Sequence, residues 1–113
     1  MFWSLKKLLM VLMILMGWGL VLTAGAATLD IGRQKAQIAC VMCHGQNGIA
    51  PMPSAPNLAG QQEIYLTEQL KNYRIGKRQH EVMSVIAKSL TDADIEALAA
   101  WYSSMKITVD VPK

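Results

Sequence analysis

Cysteine is scarce in this 113-residue chain: two in all, enough for one disulfide, too few for a multiply stapled scaffold or a four-thiolate metal site. Charged residues make up only 17% and aromatic residues 6%. Strand signals are nearly absent, apart from a short tail at Ile107 to Val111 that ends at Pro112. No internal repeat or low-complexity tract is visible, and the length excludes two domains. What the chain does have is apolar residues, 52%, with a mean hydropathy of +0.24. They are unevenly placed, because Leu8 to Leu29 runs for 22 positions without a charge.

Lys6 and Lys7 precede that run, and the small residues Ala24-Gly25-Ala26-Ala27 close it. This is the order of a secretory signal peptide, with cleavage after Ala26 or Ala27, so residues 1–27 form the leader and 28–113 the working domain. An uncleaved membrane anchor is the alternative, since about 20 apolar residues span a bilayer. Either way the lysines stay inside and the remainder lies outside the cytoplasm, which for a bacterial chain means the periplasm. Without the leader's two lysines the net charge drops from +3 to +1, so a nucleic-acid partner is poorly supported. The local basic cluster Lys71, Arg74, Lys77 and Arg78 remains. Only Tyr65, Tyr73, Trp101 and Tyr102 are left as aromatics, and 86 residues make a marginal core from side chains alone. Something other than side chains is expected to fill the middle.

The pattern predicts an all-α domain. A first helix is expected from Asp30, as N-cap, to the cysteines, with Gly32, Ala36, Ala39, Cys40 and Cys43 on one face. A second spans about Gln62 to Ile75, with Leu66, Leu70 and Tyr73 as its apolar stripe and Gly76 beyond its end. The last is capped by Thr91, carries Asp92, Asp94 and Glu96 in its first turns, and lines up Ile95, Leu98, Ala99, Tyr102 and Met105 to pack across the first. Between the first two lies Gly45 to Gly60, an aperiodic stretch punctuated by Gly and Pro, of the kind that wraps a ligand.

The segment that carries chemistry is Cys40-Val41-Met42-Cys43-His44. Cys-x-x-Cys-His is the spacing by which c-type haem is covalently attached. On a helical turn, positions i, i+3 and i+4 share a face, so two thiols can meet the vinyl edges of one flat macrocycle while the imidazole meets its iron. A thioredoxin-like pair needs a βαβ setting that is missing here. A disulfide across two residues is strained and clamps little chain, and zinc lacks a fourth ligand. A chance match to so short a pattern is set against the leader and the undersized core.

The chain resembles the class I mono-haem c-type cytochromes, of the short bacterial type, over nearly all of residues 32 to 105. The likeness rests on Gly32, Cys40-Val41-Met42-Cys43-His44-Gly45, Pro56-Asn57-Leu58-Ala59-Gly60-Gln61, Tyr65, Gln69-Leu70, Gly76-Lys77-Arg78, Met83 and Leu90-Thr91-Asp92-Ala93-Asp94-Ile95, in the family's order. It implies a small cytochrome c fold of about four helices wrapped around one covalently attached haem c. It further implies thioether links at Cys40 and Cys43, His44 as proximal and Met83 as distal iron ligand, and a Pro56 carbonyl that accepts the Nδ1 proton of His44. Arg78, with Lys77 and Tyr73, is a candidate for contact with a haem propionate.

Met83 is singled out by the residues as well, because of the four methionines beyond the leader it alone lies in a short segment between helices. Core filling is its competing role. His80 has no task in this reading and is expected to be an exposed loop residue. An iron held by imidazole and thioether has no open position for a substrate, which disfavours catalysis. The function implied is electron carriage by the Fe(III)/Fe(II) couple through transient docking to redox proteins, a quinol-oxidising complex and a terminal oxidase or reductase. The alternative is a haem subunit or anchored wire of one oxidoreductase, with the membrane as partner only if the leader is retained.

Overall fold

The structure is a computed structural model that describes the backbone of residues 2–112 and the side chains at positions 4–7, 9, 10 and 25–112. Most of the Leu8 to Leu22 run that carries the signal reading lies outside the described side chains. Among the described residues no helix is long and apolar enough to cross a membrane.

The described backbone is all-helical: α1 (Phe2–Ala39), α2 (Val41–His44), α3 (Glu63–Ile75), α4 (Met83–Lys88) and α5 (Asp92–Ser103). The expected start of the first helix at Asp30 is corrected, since α1 runs through it from Phe2. Ala24, Ala26, Ala27 and Leu29 favour helix, and no proline interrupts them. Asp30 instead sits on the helix flank, where its carboxylate accepts hydrogen bonds from Arg33 Nη2 and Gln34 Nε2, each at 2.7 Å. The tail at Ile107 to Val111 forms no strand. Lacking a second strand to pair with, its extended backbone has no ladder to join, and Ile107, Val109 and Val111 are exposed.

The most extensive packing is α1 on α5, and α3 lies against both α4 and α5. Close approach of α1 to α5 requires Gly32, because a Cβ there would stand 2.0 Å from the Ala97 carbonyl oxygen and 2.8 Å from Trp101 Cβ. Ala36, Leu66, Leu90, Ile95, Leu98, Ala99 and Tyr102 form the buried cluster, with Cys40, Leu58, Leu70, Trp101 and Met105 packed at its edge. Burying Ile95 and Leu98 completely contributes about 2 kcal/mol each relative to exposure. The pair is also tied by charge: Lys35 Nζ on α1 lies 2.9 Å from Asp94 on α5.

Helix ends follow the sequence closely where caps exist. Thr91 Oγ1 accepts from the Asp94 amide at 3.1 Å and the Asp94 carboxylate accepts from the Thr91 amide at 2.9 Å, closing a capping box. At the other end of α3, Gly76 adopts φ 79°, the left-handed conformation that stops a helix. Arg74, near that end, donates to the Leu90 carbonyl at 3.0 Å and pairs with Asp92, which fixes α3 against the entry to α5.

Candidate functional site

Cys40 interrupts α1 and α2 with φ −117° and ψ −25°, but helical hydrogen bonding continues through it. Its amide reaches the Ala36 carbonyl at 2.9 Å, and the Cys40 carbonyl accepts from Cys43 at 3.3 Å and from His44 at 3.0 Å. The turn therefore gathers two thiols and an imidazole within five residues. Neither cysteine is in a disulfide, and both are half-buried. Met42, between them, is 80% exposed and so points away from the buried side of the turn.

The two thiols differ. Burial pushes the Cys40 thiol above its ordinary pKa, partly offset by a hydrogen bond with the Tyr102 hydroxyl. Tyr102 is pushed well above the usual phenol value, chiefly by burial and then by Cys40 itself. This contact was not legible in the sequence, because nothing in the spacing of positions so far apart announces it. Only the α1–α5 packing creates it.

His44 is 6% exposed, and its Nδ1 lies 2.9 Å from the Pro56 carbonyl oxygen. Among the described residues Nε2 has no hydrogen-bond partner. The loop that delivers Pro56 is laced to itself: the Gly48 carbonyl accepts from Leu58 at 2.7 Å and Ala59 at 3.1 Å, and Asn57 Oδ1 accepts from the Ala50 amide at 2.8 Å. Its far end is anchored where the Gly60 amide reaches the Tyr102 carbonyl at 2.9 Å. Gly45, the residue after His44, has φ 78°, and a Cβ there would meet the Ile49 carbonyl oxygen at 1.9 Å. The loop can turn under the histidine only with glycine at that position.

Met83 lies in the short segment expected between helices, where it is the first residue of the six-residue α4, half-buried. Val82 to Ser84 coil because their amides find carbonyl and side-chain acceptors within the next turn back. Arg78 is exposed and held to α3: its Nη1 donates to Gln69 Oε1 at 2.8 Å, and its guanidinium lies 4.7 Å from the centre of the Tyr73 ring. His80 is exposed but bonded, its Nδ1 accepting from the amides of Val82 and Met83. Trp101 is half-buried against the core, and Met105 lies just past the end of α5 rather than within it.

The structure thus brings Cys40, Cys43, His44 and Pro56 to one place, while Arg78 is occupied by α3 contacts. The donor set suits a haem: two unpaired thiols for covalent links, and a buried imidazole with one nitrogen committed to a carbonyl and the other without a partner.

The family model for cytochrome c matches residues 29–106. Cytochrome c4 of Pseudomonas aeruginosa is 39% identical over 106 residues, covering 93% of this chain and 51% of that protein. A thiosulfate dehydrogenase electron acceptor of Thiomonas intermedia is 44% identical over 68 residues, 59% of this chain and 31% of that one. In three dimensions the chain is similar to the crystal structure of reduced recombinant cytochrome c4 from Pseudomonas stutzeri, with a TM-score of 0.65 and 27% identity over 72% of this chain and 50% of the other. The chain spans about half the length of the cytochrome c4 relatives it matches. With its Cys-x-x-Cys-His turn, its all-helical architecture and a match over most of its length, the chain belongs to the cytochrome c family, whose cofactor is covalently bound haem c.

Proposed function

We propose that this protein is an exported electron carrier that would hold one haem c through Cys40 and Cys43, with His44 and Met83 as the residues that would bind its iron. The observation that carries the reading is the 2.9 Å contact of His44 Nδ1 with the Pro56 carbonyl, within one helical turn of two cysteines outside any disulfide. When bound, haem c supplies a one-electron Fe(III)/Fe(II) couple.

The chain's own residues determine how that couple behaves. Pro56 accepts the Nδ1 proton, which fixes the imidazole tautomer, leaves the Nε2 lone pair as the donor and strengthens it. Met83 offers a soft, uncharged thioether, and a donor of that kind favours the less charged ferrous state and raises the potential. Imidazole and thioether would serve as neutral donors in either oxidation state, so the haem would supply its one-electron couple without a proton change at either side chain. His44 and Met83 would hold the iron between them, which would leave a substrate no place at the metal unless a side chain gave way.

Residues 1–27 are assigned to a signal peptide and 28–113 to the haem domain, which places the carrier in the periplasm; the family match beginning at residue 29 supports this division. Its partners are redox proteins met briefly, since turnover needs weak and fast exchange. A relative named as the electron acceptor of thiosulfate dehydrogenase supports such a role. A quinol-oxidising complex as donor and a terminal oxidase or reductase as acceptor complete the assignment. Arg78 is proposed to turn toward a propionate from its place beside Tyr73.

The test is intact mass and a pyridine haemochrome spectrum on protein matured with haem-attachment machinery. One covalent haem per chain is expected. A mass equal to the bare polypeptide would overturn the proposal.

A further inference from the structure

α4 is only six residues long, and Val82, the residue before it, offers no side-chain cap. A helix this short is not stable by itself, and its first amides have no intrahelical acceptors. Here they find one outside: the amides of Val82 and Met83 both donate to His80 Nδ1, at 3.2 and 3.3 Å. The arrangement closes on itself, because the His80 amide donates to Ser84 Oγ at 3.0 Å and the Ser84 amide donates to the His80 carbonyl at 2.9 Å. Four hydrogen bonds thus ring the segment 80–84, with Met83 inside the ring.

His80 is exposed, so core packing does not account for its place. Its imidazole nitrogen does the work that an Asn or Asp oxygen performs at a helix N-terminus. We infer that His80 is a positioning residue for Met83, holding the turn closed so that the thioether is presented from a fixed backbone rather than recruited from a mobile loop. The inference rests on the reading of Met83 as an iron ligand. Opening of this turn would carry Met83 away and leave its place at the iron to an external ligand, whose apparent affinity would rise with the open population.

The experiment uses the matured haem protein in its ferric form, titrated with imidazole and followed by the far-red sulfur-to-iron charge-transfer band, with thermal unfolding measured in parallel. His80→Ala is expected to bind imidazole about fivefold more tightly than the parent, the factor that loss of a typical helix cap implies. His80→Asn, whose Oδ1 can accept the same two amides, is expected to return within about twofold of the parent. Ser84→Ala opens the ring from the other side and is expected to shift affinity in the same direction; it carries the test if His80→Ala fails to mature. Unchanged imidazole affinity in His80→Ala or, failing that, in Ser84→Ala overturns the inference, as does a lowered melting temperature with no change in affinity. Met83→Ala distinguishes the two levels of the argument. If the far-red band survives that substitution, the ligand reading itself has failed and the positioning role falls with it. If the band is lost there but His80→Ala behaves as the parent, only the positioning role is wrong.

Discussion

His44 illustrates how one side chain is prepared by another, with one nitrogen bound to Pro56 and the second without a hydrogen bond. Replacing His44 by Ala is expected to prevent stable maturation, read as loss of coloured protein. Met83→Ala is expected to leave a coloured protein whose ferric iron becomes high-spin or water-ligated, read from the visible spectrum. A separate expectation concerns acid. The Thr91 amide and hydroxyl and the Lys35 ammonium hold Asp94 below its ordinary pKa of 3.8. A carboxylate with a lowered folded-state pKa stabilises the fold above its unfolded value, and that contribution is lost as pH falls through 3.8 and on past the lowered value. Asp94→Asn should therefore be less stable than the parent at neutral pH, and the difference should shrink on acidification below pH 4, measured by urea unfolding at each pH. At this scale the thiols and His44 were legible, because their relation is local and helical periodicity alone sets it. The Tyr102 contact with Cys40 and the bonds to His80 Nδ1 were not, since the first depends on two helices meeting and the second on an exposed side chain folding back on its own turn.

Among the elements, those with chemical punctuation stand where the sequence places them. Thr91 and Asp94 mark the start of α5, and Gly76 marks the end of α3, because caps satisfy orphan backbone groups through short-range bonds. Thr91→Ala is expected to cost about 1 kcal/mol of stability, read as a shift in urea midpoint with unchanged slope. α1 begins well before the start the sequence suggests at Asp30, because Asp30 makes good bonds mid-helix as well as at a cap, and alanine-rich sequence upstream gives no stop. Met83 lies in the short segment the sequence places between helices, but the helical form of that segment is not legible there, since its six-residue helix depends on an acceptor supplied by His80 and has no periodicity of its own. Packing of α1 on α5 depends on the absence of a side chain at Gly32. Gly32→Ala, which forces a methyl group into the Ala97 carbonyl, is expected to cost about 2 to 3 kcal/mol by urea unfolding while leaving isolated helix propensity slightly improved.

In the molecule as a whole, the only large side chains completely shielded from solvent in the described part are Ile95 and Leu98, a small core for a domain of this length. Chain made without haem-attachment machinery is therefore expected to show much reduced helicity by far-ultraviolet circular dichroism and to lack a cooperative melt. Under the proposed signal-peptide assignment, N-terminal sequencing of the matured protein is expected to begin at Ala27 or Thr28, the two starts that the small-residue frames allow. By itself the sequence determined the helical class, the attachment turn and the capped ends of α3 and α5, because each follows from contacts within about four residues along the chain. The tertiary structure supplied the distance at which Pro56 meets His44, a contact the family resemblance already implies, and it alone decided that Tyr102 meets Cys40 and that Lys35 faces Asp94. Those pairings depend on how far a laced loop bends and how closely two helices approach, and neither distance is encoded in any short stretch of residues.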